Sequence, residues 1–144
     1  MTSDEARRRF VAARIGRLAT ADRSGRPHLV PLVFAVHDDV LVSAVDHKAK
    51  RTTALRRLAN IKANPQVAVL VDEYEEDWDC LWWARADGYG RILEPASAQA
   101  RRAIDLLVAR YPQYRDRWPG GPVLAVDVQR WSGWSAAANR EANS

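Results

Sequence analysis

The sequence predicts a small, mainly β domain: a β-barrel with helices inserted between its strands. Three observations lead there. Short apolar runs rich in Val, Leu and Ala recur between Gly, Pro, Asn and Asp residues of the kind that turn a chain. Two of the intervening stretches instead space their apolar residues at i, i+3 and i+4, as a helix does. Finally, 144 residues with 47% hydrophobic side chains suffice to enclose one core. Together they give six strands, mostly antiparallel, with three or four helices among them.

The elements follow in order. Thr2 and Glu5 have the spacing of a capping box, with Asp4 and Glu5 in the first turn of a helix that runs toward Val11 and acts as a lid on the core. A strand over 15–21 is turned by Gly25 and Pro27 into an apolar run over 28–36, the second strand. His37, Asp38 and Asp39 make a tight connection to a third strand over 40–44. Thr52 or Thr53 is placed to cap a helix with Leu55, Leu58, Ala59 and Ile61 near one face, stopped by Asn64 and Pro65. Residues 66–71 form the next strand. Between 81 and 93, Ala84, Ala86, Gly88 and Gly90 alternate with Trp83, Arg85, Asp87, Tyr89 and Arg91, which predicts a long strand with one closely approached face. Pro95 suits the first turn of a helix carrying Ala100, Ala103, Ile104, Leu107, Val108 and Tyr111 on one face and ending at Pro112. Residues 119–122 turn the chain into a closing strand over 123–128. The domain is expected to span 1–135, with 136–144 a flexible tail.

Composition narrows the function. One cysteine, Cys80, excludes an intrachain disulfide and any CxxC motif. His28, His37 and His47 lack ligand spacing, so no metal site is expected. No apolar stretch is long enough to span a membrane and the opening residues lack the apolar core of a signal peptide, so a cytoplasmic protein without a membrane partner is expected. The motifs GxSxG, HExxH and the Walker loop are missing, and Gly88 and Gly90 sit inside a strand rather than in a strand-to-helix turn. The formal charge of +4 is modest but segregated: Lys48, Lys50, Arg51, Arg56, Arg57 and Lys62 crowd one segment, while six acids fall between Asp72 and Asp79. Without the aromatic pattern of an RNA-binding sheet, the basic segment does not argue for a nucleic-acid partner.

Two features carry chemistry. Lys48, Lys50 and Arg51 stand where a strand gives way to a helix, a junction whose cations and free N–H groups suit a phosphate or, equally, a solvated helix face. The chain also has six tryptophans. Trp82 and Trp83 must face opposite sides of one strand, and Trp131 and Trp134, placed after the last strand, suit a subunit contact or a flat aromatic ligand.

The segments GRLAT at 16–20, GRPHLVPLVF at 25–34, KAK at 48–50, NPQVAVL at 64–70 and LWWARADG at 81–88 together resemble the split β-barrel flavoprotein superfamily that includes pyridoxamine 5'-phosphate oxidase. Within it, the nearly full-length likeness is to the deazaflavin (coenzyme F420) dependent oxidoreductases of actinobacteria. The resemblance implies a six-stranded antiparallel split barrel, working as a homodimer with two cofactors in grooves at the subunit interface. It places Lys48 and Lys50, with Arg51 beside them, at the cofactor phosphate; Val30, Pro31 and Leu32 along the ring; Ser43 and Ala44 near the ribityl chain; and Trp82, Trp83 and Trp131 among the aromatic candidates from the partner. Two departures stand out. Lys48 replaces the arginine usual in the flavin-phosphate pattern, which disfavours FMN, and no histidine follows His47, which disfavours vitamin B6 oxidation. The expected function is hydride transfer between F420 and a small hydrophobic or conjugated acceptor, with Tyr89 as a candidate proton donor. An FMN-dependent reductase or oxidase, and a non-catalytic flavin or tetrapyrrole carrier, are the alternatives.

Overall fold

The computed structural model describes residues 1–45 and 51–143, with side-chain surroundings for 1–45 and 56–139. Among the described residues, seven antiparallel strands form one sheet: β1 (Gly16–Ala21), β2 (Pro27–Leu32), β3 (Ala35–His37), β4 (Val40–Ala44), β5 (Gln66–Glu73), β6 (Trp82–Leu93) and β7 (Val123–Ser135). Their order is β2-β1-β5-β6-β7-β4-β3. The two edge strands, β2 and β3, are consecutive in the chain, joined only by Val33 and Phe34. Three Cα steps reach at most about 11 Å, so the two edges of a seven-stranded sheet can meet there only if the sheet rolls up.

This corner is why there are seven strands rather than six. The apolar run over 28–36 is not one strand, because at Phe34 the backbone leaves the ladder. Its N–H donates to the Tyr111 hydroxyl at 3.1 Å, and its carbonyl accepts from that hydroxyl at 2.8 Å and from Arg110 at 2.9 Å. Both residues stand at the end of helix α3 (Ala98–Arg110), so side chains replace the strand partners of a buried peptide.

Helix α1 (Ser3–Ala12) starts as expected, with Thr2 Oγ1 accepting the Glu5 N–H at 3.1 Å. The Glu5 carboxylate turns instead to Arg9 at 3.0 Å. Ala6 and Phe10 plug one end of the barrel, where the Phe10 ring centroid lies 5.0 Å from Phe34 and 5.1 Å from Trp131. Inside lie Leu18, Val69, Val71, Ala84, Ala86 and Val126. A second apolar cluster packs Ala35, Val42, Ala44, Val123 and Ala125 against Ala100, Ala103 and Leu107 of α3.

The small-residue parity of β6 has the expected cause. A Cβ on Gly88 would lie 2.2 Å from the Asp127 carbonyl oxygen, at a bulge that leaves Gln129 without a partner residue across the ladder.

Several boundaries differ from expectation. Helix α2 (Arg51–Ala63) holds Thr52 and Thr53 inside its first turn rather than at its cap. α3 begins after Ser97, whose hydroxyl accepts the Ala100 N–H at 3.1 Å, and Pro95 precedes the cap. A short helix α4 (Gln113–Asp116) follows. β7 continues past Val128 to Ser135 because β6 is long enough to pair with all of it. Residues Ala136–Asn143, expected as a tail, form helix α5, started by Ser135 Oγ accepting the Ala138 N–H at 3.2 Å. Among the described residues, no helix is long and apolar enough to cross a membrane.

Candidate functional site: an aromatic groove on the outer sheet face

Side chains alternate across a strand, so residues paired in register share a face. On the outside of the barrel the register aligns Pro31, Arg17, Leu70, Arg85 and Ser132 in one row, and Leu29, Ala19, Ala68, Asp87 and Arg130 in the next. Beyond Leu70 come Asp72, Trp83 and Trp134, paired across β5, β6 and β7. Leu29 is 66% exposed, Trp134 37% and Leu70 36%, an apolar content that a solvated sheet face does not need.

At one end of this face a groove of about 400 Å³ is lined by Leu70, Tyr74, Leu81, Trp82, Trp83 and Trp134, with Asp72, Glu73 and Arg85 at its rim. Two of the rim charges are paired, and the third, Glu73, accepts an indole N–H. Arg85 lies 2.9 Å from Asp87 and its guanidinium sits 5.9 Å from the Trp83 ring centre; Arg17 lies 3.6 Å from Asp72. Trp82 donates its indole N–H to Glu73 at 3.1 Å, with Arg9 5.4 Å from the ring centre. The groove is therefore an aromatic wall with a polar but balanced rim, suited to a flat, largely apolar ring. Among the described residues, no cluster of His, Cys, Asp or Glu could hold a metal ion.

Several anticipated site residues lie elsewhere. Of the β2 trio, Pro31 faces outward, but Val30 and Leu32 are on the inward parity and belong to the core, so their side chains cannot line a ring outside it. Ser43 is buried, its hydroxyl donating to the Val33 carbonyl at 2.7 Å, and Ala44 packs in the cluster beneath α3, so neither side chain is free to meet a ribityl chain. Trp131 is not a ligand wall: it is 9% exposed, packs on Phe10, and donates its indole N–H to Asp39 at 3.0 Å. That bond lowers the Asp39 pKa, opposed by partial burial and aided by Arg7. Trp82 and Trp83 both reach the groove, Trp82 from the core side and Trp83 from the outer face. Tyr89 is on the outer face but four residues from Arg85 along β6, about 13 Å at strand rise, where it lines a separate hollow with Gln66 and Gln129. Lys48 and Lys50 lie outside the described residues, and Arg51 opens α2 with its side chain likewise outside them.

Leu70 and Trp134 complete the groove. Leu70 had a readable signal, since it shares the parity of Gln66 and Asp72 while Val67, Val69 and Val71 take the other. Trp134, singled out in the sequence for a subunit contact or a flat aromatic ligand, lies within β7 rather than after it.

A sheet rolled shut through two residues, with a helix plugging it and one aromatic outer face, defines a split β-barrel. Residues 2–135 match the family model for pyridoxamine 5'-phosphate oxidase, and the chain belongs to that family. Among solved structures, a FAD-binding protein from Mesorhizobium loti aligns with a TM-score of 0.72 at 22% identity, covering 92% of this chain and 94% of its own. HutZ, the heme storage protein from Vibrio cholerae, aligns at 0.70 and 19% identity, covering 94% and 95%. The FAD-binding protein from Mycobacterium smegmatis aligns at 0.62 and 15% identity, covering 93% and 95%. At such identities the likeness establishes the shared fold. No curated protein matches this chain.

Proposed function

We propose that this protein is an F420-dependent oxidoreductase of the cytoplasm, working as a homodimer and passing hydride between the deazaflavin and a small hydrophobic or conjugated acceptor. The observation that carries the reading is the groove walled by Trp83 and Trp134 on an exposed apolar sheet face. Its volume is that of a small-molecule site, for which the usual range is about 300–1,000 Å³. A second copy laid on this face would cover Leu29, Leu70 and Trp134, and two of the face's charges, Arg17 and Arg85, already have carboxylate partners.

The bound deazaflavin supplies the hydride chemistry. The chain's share is to hold the ring against Trp83 and Trp134 and to keep water from it. Lys48, Lys50 and Arg51 are assigned to the phosphate. Preference for F420 over FMN rests on the basic segment from Lys48 to Arg57, longer than one phosphate needs and matched to an oligoglutamyl tail. It rests also on Lys48 standing where an arginine fork would best grip a terminal phosphate. FAD-binding relatives of the same fold make a flavin the alternative cofactor.

Parallel titrations with F420 and FMN at physiological ionic strength test the assignment. F420 is expected to bind tighter, to lose more affinity with added salt because much of its tail lies on the surface, and to support turnover. Tighter binding and turnover with FMN would replace F420 by the flavin.

A further inference from the structure

We propose that the hollow between α2 and the turn joining β1 to β2 is a binding site for a single oxyanion group, a phosphate or a carboxylate, held by Arg26, His28, Arg56 and Asn60. The hollow measures about 180 Å³, and Asp22 and Pro27 complete its lining. That is below the usual range for a whole ligand, about 300 Å³ and upward, so it admits one group of a molecule whose remainder stays outside.

The site gathers more donors than acceptors. His28 pairs with Thr20 across β1 and β2 and so stands on the inward parity, beneath α2. Its Nε2 is sealed from solvent with no partner among the described residues, as is Nε of Arg57 on α2. Asn60 is buried and spends one amide hydrogen on Thr20 Oγ1 at 3.0 Å. Arg26, Arg56 and Arg57 have no ion pair among the described residues. Asp22 is the one carboxylate in the lining, and its Oδ1 is engaged by the turn, accepting from the N–H groups of Ser24 at 2.8 Å and Arg26 at 2.9 Å. Buried polar groups find partners in native proteins; in its Nε2–H tautomer His28 donates, and beside the unpaired guanidiniums of Arg26 and Arg56 the partner assigned here accepts hydrogen bonds and carries negative charge.

The same groups set the response to pH. Burial, then Arg56 and Arg57, hold His28 below its ordinary pKa, while Thr20 and Asn60 bring no charge and Asp22 is the one carboxylate in the lining. An anion in the hollow offsets the two arginines, so it raises the His28 pKa and binds tighter as pH falls.

The site lies apart from the basic residues at the start of α2: Arg56 is five residues beyond Arg51, about 7.5 Å along the helix. The oxyanion has two sources: free phosphate, or a tail carboxylate of F420, the latter resting on the function proposed above. The test follows the His28 imidazole in the full chain by ¹H–¹⁵N NMR while inorganic phosphate replaces chloride at constant ionic strength. A saturable upward shift of the His28 pKa is expected, with affinity falling about ten-fold or more in Arg56→Ala, the loss of a charge-assisted bond, and unchanged in Lys62→Ala. The exposed Arg26→Ala, with the fold checked by circular dichroism, gives a second reading in the same direction. Displacement of phosphate by F420, but not by its tail-free deazaflavin fragment, would assign the tail as the source; phosphate and F420 binding independently would assign free oxyanion. The phosphate arm needs no cofactor, so failure of the F420 reading leaves it intact. An unmoved His28 pKa in phosphate, together with F420 binding indifferent to Arg26→Ala and Arg56→Ala, would overturn the proposal.

Discussion

The Tyr111 hydroxyl lies 2.8 Å from the carbonyl oxygen of Phe34 and 3.1 Å from its N–H, closing the corner between β2 and β3 from the end of α3, 77 residues away. The same hydroxyl lies 3.0 Å from the Arg14 carbonyl, its single hydrogen shared between the Phe34 and Arg14 oxygens, and Arg110 adds a bond of 2.9 Å to Phe34 and another to Ala13. One aromatic hydroxyl thus ties the end of α1, the barrel corner and the end of α3.

Tyr111→Phe keeps the ring and removes this hub, leaving the Phe34 carbonyl to Arg110 alone and the Phe34 N–H without its acceptor. A loss of about 1–3 kcal/mol is expected, read in urea as a lower midpoint at unchanged slope. An unchanged midpoint would show that the corner holds without the hydroxyl.

Gly88→Ala and Gly25→Ala separate two reasons for glycine. At Gly88 the new Cβ would meet Asp127 backbone at 2.2 Å, and backbone cannot give way as a side chain can. At Gly25 nothing lies within 4 Å, but φ is +80°. About 1 kcal/mol is expected at Gly25 and clearly more at Gly88, measured by thermal and urea unfolding.

Leu70→Asp tests the outer face. Leu70 is 36% exposed, so the substitution costs the single chain little, but between two copies it would bury a carboxylate whose register neighbours, Arg17 and Arg85, are already engaged by Asp72 and Asp87. Sedimentation is expected to show a dimer at micromolar concentration in the wild type and a monomer with native circular dichroism in the variant. A wild-type monomer would remove the interface and the shared groove together.

Asp39 makes stability depend on acid. The Trp131 N–H holds its carboxyl below the usual value, near 3.9. A lowered folded-state pKa stabilises the native state above the unfolded value, and that contribution is lost as pH falls through the folded one. Asp39→Asn is therefore expected to lower the urea midpoint at pH 7 and to match the wild type once pH drops below the folded pKa. A difference that persists at low pH would assign the effect to packing on Trp131.

Much of the fold was legible because its determinants are local. The Thr2 cap, the β4 span Val40–Ala44, the α3 face and the small parity of β6 each follow from residues a few positions apart. The ordered segments from GRLAT to LWWARADG also reached the family, later matched over residues 2–135. Alternation announced that Trp82 and Trp83 part company, yet it cannot say which parity meets a core. Tertiary structure decided the rest. It broke the run over 28–36 at Phe34, because its backbone partners come from residues 110 and 111. It stretched β7 along the full length of β6, sending Trp131 inward to Phe10 and Trp134 outward to the groove. It also drew Arg26, His28 and Arg56 from a turn, a strand and a helix around one hollow. Each of these depends on atoms distant in the chain that burial alone brings together, and local pattern records only that a side chain is apolar or charged, not what it will face.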